Sequence, residues 1–130
     1  MKRSKAIISC ITLACSFILC SSADAFENDP QVLGEWESVD FVTDISDFKP
    51  DAKSWKGDLY LEEFEFKKKG STQNDAFTWT KGKVHYTEFD MDGKYIIKKV
   101  DGKDYLFLEW INGDVKAGTE KPRYYVFERD

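Results

Sequence analysis

The feature that most limits what this chain can fold into is a regular beat of glycines. Gly57, Gly70, Gly82, Gly93, Gly102 and Gly113 stand 13, 12, 11, 9 and 11 residues apart. Three of them sit in Asp92-Gly93, Asp101-Gly102 and Asn112-Gly113, dipeptides that accept the positive φ of two-residue hairpin turns at little steric cost. The segments between are rich in Tyr, Phe, Trp, Val, Ile and Thr, which fit a pleated, half-buried surface. Short strands at even spacing predict an all-β antiparallel barrel or sandwich. The strands are expected near 34–43, 58–67, 75–80, 83–89, 94–100, 104–111 and 122–129. No longer segment carries a helical apolar period. One short helical turn is expected within Asp44–Lys53, where Pro50 stops a longer run. Every other connection is short, so a meander of hairpins is the simplest topology.

The first 25 residues read as an address. Lys2, Arg3 and Lys5 are followed by an uncharged stretch from Ala6 to Leu19 and then by Ala23-Asp24-Ala25, the three-part pattern of a secretory signal with a small-x-small cleavage site. As a helix the apolar stretch would rise only about 21 Å, short of the roughly 30 Å hydrocarbon core. Cleavage after Ala25 is therefore expected, with a secreted or periplasmic product and no membrane span. Lipid attachment is the second reading. Cys20 follows bulky Leu19, and Cys15 would leave a very short apolar stretch.

Cleavage changes the composition that matters. All three cysteines (Cys10, Cys15, Cys20) leave, and disulfide or thiolate chemistry leaves with them. The remaining 105 residues carry 16 Lys and Arg against 23 Asp and Glu, a net charge of −7, and keep 19 of the 20 aromatic residues. That length supports one hydrophobic core. That charge argues against a nucleic-acid partner, which requires a basic face to displace counterions.

Two strands break simple alternation. In DLYLEEFEF, Leu59 and Leu61 share one face, whereas Phe64 and Phe66 have the opposite parity. Either a bulge at Glu62-Glu63 resets the phase, or Tyr60, Glu62, Phe64 and Phe66 share a face and Glu62 points inward. The bulge is the simpler account. In YLFLEWI and RYYVFER both faces are apolar, as in a barrel wall covered on its outside or a surface awaiting a partner.

Leu33-Gly34-Glu35-Trp36, at the head of the first strand, resembles the Gly-x-Trp motif that opens lipocalin-like (calycin) barrels. The resemblance implies an up-and-down barrel of seven to eight strands, with Gly34 and Trp36 at its closed end. It also implies a basic residue of the last strand, Arg123 or Arg129, packed over the indole. Trp36-Glu37-Ser38-Val39-Asp40-Phe41-Val42, Trp55-Lys56-Gly57-Asp58-Leu59, Trp79-Thr80-Lys81-Gly82, Tyr105-Leu106-Phe107-Leu108-Glu109-Trp110 and Lys121-Pro122-Arg123-Tyr124-Tyr125-Val126 resemble a bacterial family of small exported proteins. Similar segments stand at the C-terminus of membrane metallopeptidases of the beta-lactamase-sensor type. This sequence carries no peptidase region, so the resemblance implies fold and export, not proteolytic signalling.

Catalytic patterns are sparse. His85 is the single histidine and has no second His or Cys to complete a zinc site. Ser38, His85 and Asp40 would make a triad only without the nucleophile-elbow motif that normally frames the serine. The glycines stand singly and form no phosphate loop. Asp90-Met91-Asp92-Gly93 lacks the distal glutamate of a calcium loop. Neighbouring Glu62 and Glu63 point to opposite faces of a strand. Neither catalysis nor a cofactor is expected.

Binding remains. A barrel of about eight strands either fills with side chains or holds one small ligand. The aromatic load favours filling, so any cavity should be small or confined to the open mouth. The expected interior set is Trp36, Phe64, Phe66, Phe77, Trp79, Tyr95, Phe107, Trp110, Tyr125 and Phe127. Candidate ligand contacts are Asp40, Glu62, Phe64, Trp79, His85, Tyr95, Phe107 and Glu109. Lys67-Lys68-Lys69 reads as a solvated hairpin tip, or as a contact to an anionic surface. The expected organisation is a signal over 1–25, an N-terminal segment over 26–33 and a barrel over 34–130. The expected role is a monomeric, non-enzymatic binding module for a small, partly apolar ligand. The alternative is a protein-interaction or sensory-accessory domain of the cell envelope with a filled core.

Overall fold

Asp101 and Gly102 both take positive φ, 52° and 82°, and turn β5 (Met91–Val100) into β6 (Lys103–Trp110) as the dipeptide predicts. The structure is a computed structural model that describes residues 25–129. The expected signal and its cysteines lie outside the described residues. Five further strands complete the fold: β1 (Gly34–Val42), β2 (Glu63–Phe66), β3 (Phe77–Thr80), β4 (Lys83–Tyr86) and β7 (Arg123–Arg129). They form one antiparallel sheet in the order β2-β1-β7-β6-β5-β4-β3, which curls into a nearly closed barrel. Strand parity explains the remaining seam. With every pair antiparallel, β2 and β3 run the same way and cannot pair as sequential meander strands. The chain between them reverses at Lys68–Gly70 and supplies a rudimentary eighth strand, a single antiparallel bridge from Thr72 to Phe66. Gln73 extends it by accepting from the Glu65 amide at 2.9 Å and donating to the Glu63 carbonyl at 2.8 Å.

Rings fill the interior. Trp36, Phe64, Phe66, Phe77, Trp79, Tyr86, Tyr95, Tyr125 and Phe127 are all buried in one cluster with Val32, Leu106 and Leu108. Phe64 lies 4.7 Å from Phe66 and 5.5 Å from Phe77, and Phe66 lies 5.4 Å from Trp79 and 5.3 Å from Tyr95, centroid to centroid. These are the separations of edge-on and tilted aromatic packing. Leu61 and Phe64 are both buried while Glu62 and Glu63 are exposed, so the phase resets between the two leucines and the two phenylalanines. Regular β2 pairing begins only at Glu63, and residues 58–62 are not strand as expected.

Phe107 corrects the expected interior set. It points outward and packs with Val42, Phe48, Tyr105 and Val126 in a second cluster. A 3-10 turn at Ile45–Asp47 leads Phe48 across this outer face, 4.8 Å from Tyr105 and 5.7 Å from Phe107. The two-sided strands are thus a wall covered by the chain's own connection. A register shift between Ser38 and Asp40 lets β1 serve both clusters, with Trp36 inside and Val42 outside.

Two turn expectations also change. Gly93 lies within β5, and the turn before it is Thr87–Asp90. A Cβ at Gly93 would come within 2.6 Å of the Glu109 carbonyl oxygen and 2.8 Å of Tyr86 Cε1, so this glycine serves close approach, not a turn. Asn112 opens a short helix, α1 (Gly113–Lys116), and its Oδ1 accepts from the Val115 amide at 2.9 Å. The connection from β6 to β7 is therefore a second long one.

Candidate functional site

The barrel has two different ends, set by strand direction. At the end where β1 begins, Trp36 is fully buried, donates from Nε1 to the Val32 carbonyl at 2.8 Å, and carries the Arg129 guanidinium 4.1 Å above its ring. Arg129 also donates to the carbonyls of Leu33, at 2.6 Å, and Gln31. Arg123 lies at the other end of β7, 3.7 Å from Glu120. Residues 26–33 seal this closed end. The Phe26 ring meets Trp79 edge-on at 5.0 Å, Tyr95 donates its hydroxyl to Asp29 at 2.8 Å, and Val32 is buried.

The opposite end, where β1 and β6 finish, carries the rings that the core does not absorb. Trp110 tops the interior column, 5.1 Å from Tyr125 and 5.6 Å from Tyr86. Phe41 packs beside it on Tyr125 at 4.8 Å. Trp55 stands against Phe41 at 5.6 Å, and Tyr60 against Trp110 at 6.4 Å. The resulting row Trp55, Phe41, Trp110, Tyr60 ends in rings that are 42% and 87% exposed. Beside it opens a hollow of about 220 Å³ walled by Phe41, Trp110, Asn112, Glu120, Lys121 and Arg123. Two aromatic side chains among four polar or charged ones offer a ligand both apolar contact and hydrogen-bonding partners.

Asp40 holds part of this mouth in place. Its carboxylate is fully buried and accepts from the amides of Phe41 at 2.8 Å, Ser54 at 3.0 Å and Trp55 at 2.8 Å. Three backbone donors satisfy the buried charge and fix the loop that presents Trp55.

The residues expected to contact a ligand do not converge. Asp40 is buried under its loop and is committed to backbone amides. Glu62 is exposed, and the backbone carbonyl at that position accepts from the Ser38 amide at 2.8 Å. Phe64, Trp79 and Tyr95 are core rings, and Phe107 belongs to the outer cluster. Glu109 accepts from the Lys94 amide at 3.0 Å, where the ladder between β5 and β6 stops. His85 sits on the outer face of β4, with Nδ1 2.9 Å from Asp92 and Nε2 3.3 Å from Asp90. The two carboxylates lie on opposite ring nitrogens and clamp the imidazole. Among the described residues no three His, Cys, Asp or Glu side chains are grouped to hold a metal ion.

The mouth residues Phe41, Trp55 and Tyr60 were not singled out in the sequence as ligand contacts. Their signal was chemical incongruity: Trp55 is the one large ring in the stretch Pro50–Asp58, otherwise Asp, Ala, Lys, Ser and Gly.

Tyrosine hydroxyls tie the interior to the backbone. Tyr86 donates to the Glu109 carbonyl at 2.5 Å, and burial, with the nearby Glu109 charge, pushes its pKa far above the ordinary value. Burial raises that of Tyr95 as well, and that of Tyr125, whose hydroxyl oxygen accepts from the Leu61 amide at 3.1 Å.

A larger concavity of about 460 Å³ lies on the outer face of β3–β5 and includes His85. No helix among the described residues is long and apolar enough to cross a membrane. Comparison with known proteins finds no matching family model, no matching curated protein and no matching solved structure.

Proposed function

We propose that this protein is an exported, non-enzymatic binding module of the calycin type that takes a small, partly apolar ligand on the aromatic row at its mouth. The observation that carries this reading is the row itself. Two rings, Trp55 and Tyr60, stand exposed beside a hollow lined by Phe41 and Trp110 together with Asn112, Glu120, Lys121 and Arg123. The ring-filled interior moves the expected ligand from inside the barrel to its rim. The hollow's 220 Å³ is below the roughly 300–1,000 Å³ of sites that engulf a drug-sized ligand. It suits one ring or a short chain segment, the remainder lying across Trp55 and Tyr60.

Tryptophan fluorescence screening against lipids, haem, sterols and cell-wall fragments tests the proposal. A saturable change that Trp55→Ala and Tyr60→Ala each weaken is expected, and no response from any of these ligands would sink it. The shallow hollow also favours a second reading, an envelope protein that inserts one side chain there. Pull-down from envelope extract with the parent chain and Tyr60→Ala separates the two, since only a protein partner is retained on the resin.

A further inference from the structure

The groove on the outer face of β3–β5 shares no lining residue with the mouth. Its chemistry is also different. Lys69 and Lys83 line it, and among the described residues neither is in an ion pair. Thr78 contributes an exposed hydroxyl and Phe26 an exposed ring. Farther along, Asp90 and Asp92 each hold His85 through one oxygen, Oδ1, which leaves the second oxygen of each as an acceptor.

Lys69 carries the argument. Its φ of 61° and ψ of 24° are left-handed, a conformation that disfavours any residue with a Cβ other than Asn or Asp. The tip cannot swing away, because Gly70 is pressed onto β3 so closely that a Cβ there would stand 2.7 Å from the Trp79 carbonyl oxygen. A lysine thus occupies a backbone position better suited to Gly or Asn, and that residue lines the groove. Unfavourable backbone retained at a concave surface points to a role for the side chain.

We propose that this groove binds a small acidic saccharide, a sugar bearing a carboxylate or phosphate. Lys69 and Lys83 take the anionic group through charge-assisted hydrogen bonds. The free oxygens of Asp90 and Asp92 accept from sugar hydroxyls, and Phe26 offers an apolar face to the C–H side of the ring. A bare anion would satisfy the lysines and leave the acceptors unused. A neutral sugar would leave the lysines without a partner.

His85 is the only histidine in the chain, so its ring signals in a proton NMR spectrum report on the groove directly. Titration at constant pH with glucuronate and with glucose 6-phosphate is expected to move these signals saturably, and glucose is expected to leave them in place. Lys69→Asn combined with Lys83→Gln is expected to weaken the binding about tenfold or more. The melting temperature of that variant should equal or exceed the parent's, because Asn tolerates the left-handed backbone. Trp55→Ala, at the mouth, should leave the response unchanged. The proposal is overturned by a silent His85 or by a response to glucose of equal strength. It is equally overturned if inorganic phosphate binds as tightly as glucose 6-phosphate, if the lysine variant keeps its affinity, or if Trp55→Ala abolishes the response.

Discussion

At the scale of single residues, two side chains do more than their sequence positions suggest. Arg129 is an exposed residue, yet its guanidinium lies over Trp36 and donates to the carbonyls of Leu33 and Gln31. It thereby clasps the N-terminal segment to the last strand. Arg129→Ala should cost about 1–2 kcal/mol in urea denaturation. Arg129→Lys should recover little of that, because an ammonium cannot reach two carbonyls as a planar fork does. Full recovery by lysine would contradict this account. Asp40 is the opposite case, a buried charge with all its partners on the backbone. Asp40→Ala strands the amides of Phe41, Ser54 and Trp55 and should cost about 3 kcal/mol. The emission of Trp55 should shift to the red as its loop loosens. A variant with unchanged stability and emission would show that the loop is held by other contacts. Of these two residues, Asp40 was legible in the sequence as a polar candidate, but its role was not. A carboxylate on a strand looks the same whether it meets a ligand or the amides of a loop 14 residues away.

At the scale of elements, β5 is the strand on which the barrel turns. Its first part pairs with β4 and its second with β6, the exchange falling between Lys94 and Tyr95, and Gly93 pairs with Val84 just before it. Gly93→Ala forces a methyl against the Glu109 carbonyl and the Tyr86 ring. It should cost about 2 kcal/mol by thermal or urea unfolding, whereas a glycine that served only a turn beside open space, such as Gly102, would lose through its φ alone. The two Asx-Gly pairs around Gly93 and Gly102 are indistinguishable in sequence, yet one is a hairpin turn and the other is not. The decision lies with the neighbours: Tyr86 and Glu109 approach position 93 from two other strands. The 3-10 turn at Ile45–Asp47 shows the reverse. Local sequence located it, since Pro50 and the surrounding polar residues limit its length. What it covers, the outward Tyr105, Phe107 and Val126, follows from packing over the wall.

At the scale of the molecule, the buried tyrosines link stability to pH. Tyr86, Tyr95 and Tyr125 have folded-state pKa values raised chiefly by burial. The unfolded chain therefore loses these protons first. Their contribution to stability is complete below the ordinary tyrosine pKa of about 10 and is lost as pH climbs from there toward the folded values. Urea unfolding between pH 8 and pH 11.5, chosen as roughly the range that brackets the ordinary value, should show a falling midpoint above about pH 10. Tyr86→Phe should flatten that fall. A midpoint that stays level across the range would contradict the burial of these hydroxyls. The same filled interior shapes the proposed function, because nine large rings in one cluster leave recognition to the surface.

The sequence by itself determined the strand count, the all-β class and most strand positions. Those depend on local choices: alternating apolar residues, ring-rich segments and residues that tolerate a turn. The resemblance of Gly34-Glu35-Trp36 to a lipocalin-like opening motif placed the start of the barrel and limited the basic residue over Trp36 to two. Only the tertiary structure chose Arg129, turned Phe107 outward, committed Asp40 to a loop and left Trp55 and Tyr60 exposed at the mouth. Each of these depends on which distant segment arrives beside the residue. Period two records that a strand has two faces, but which face meets the core, a covering loop or open solvent is decided by closure of the barrel.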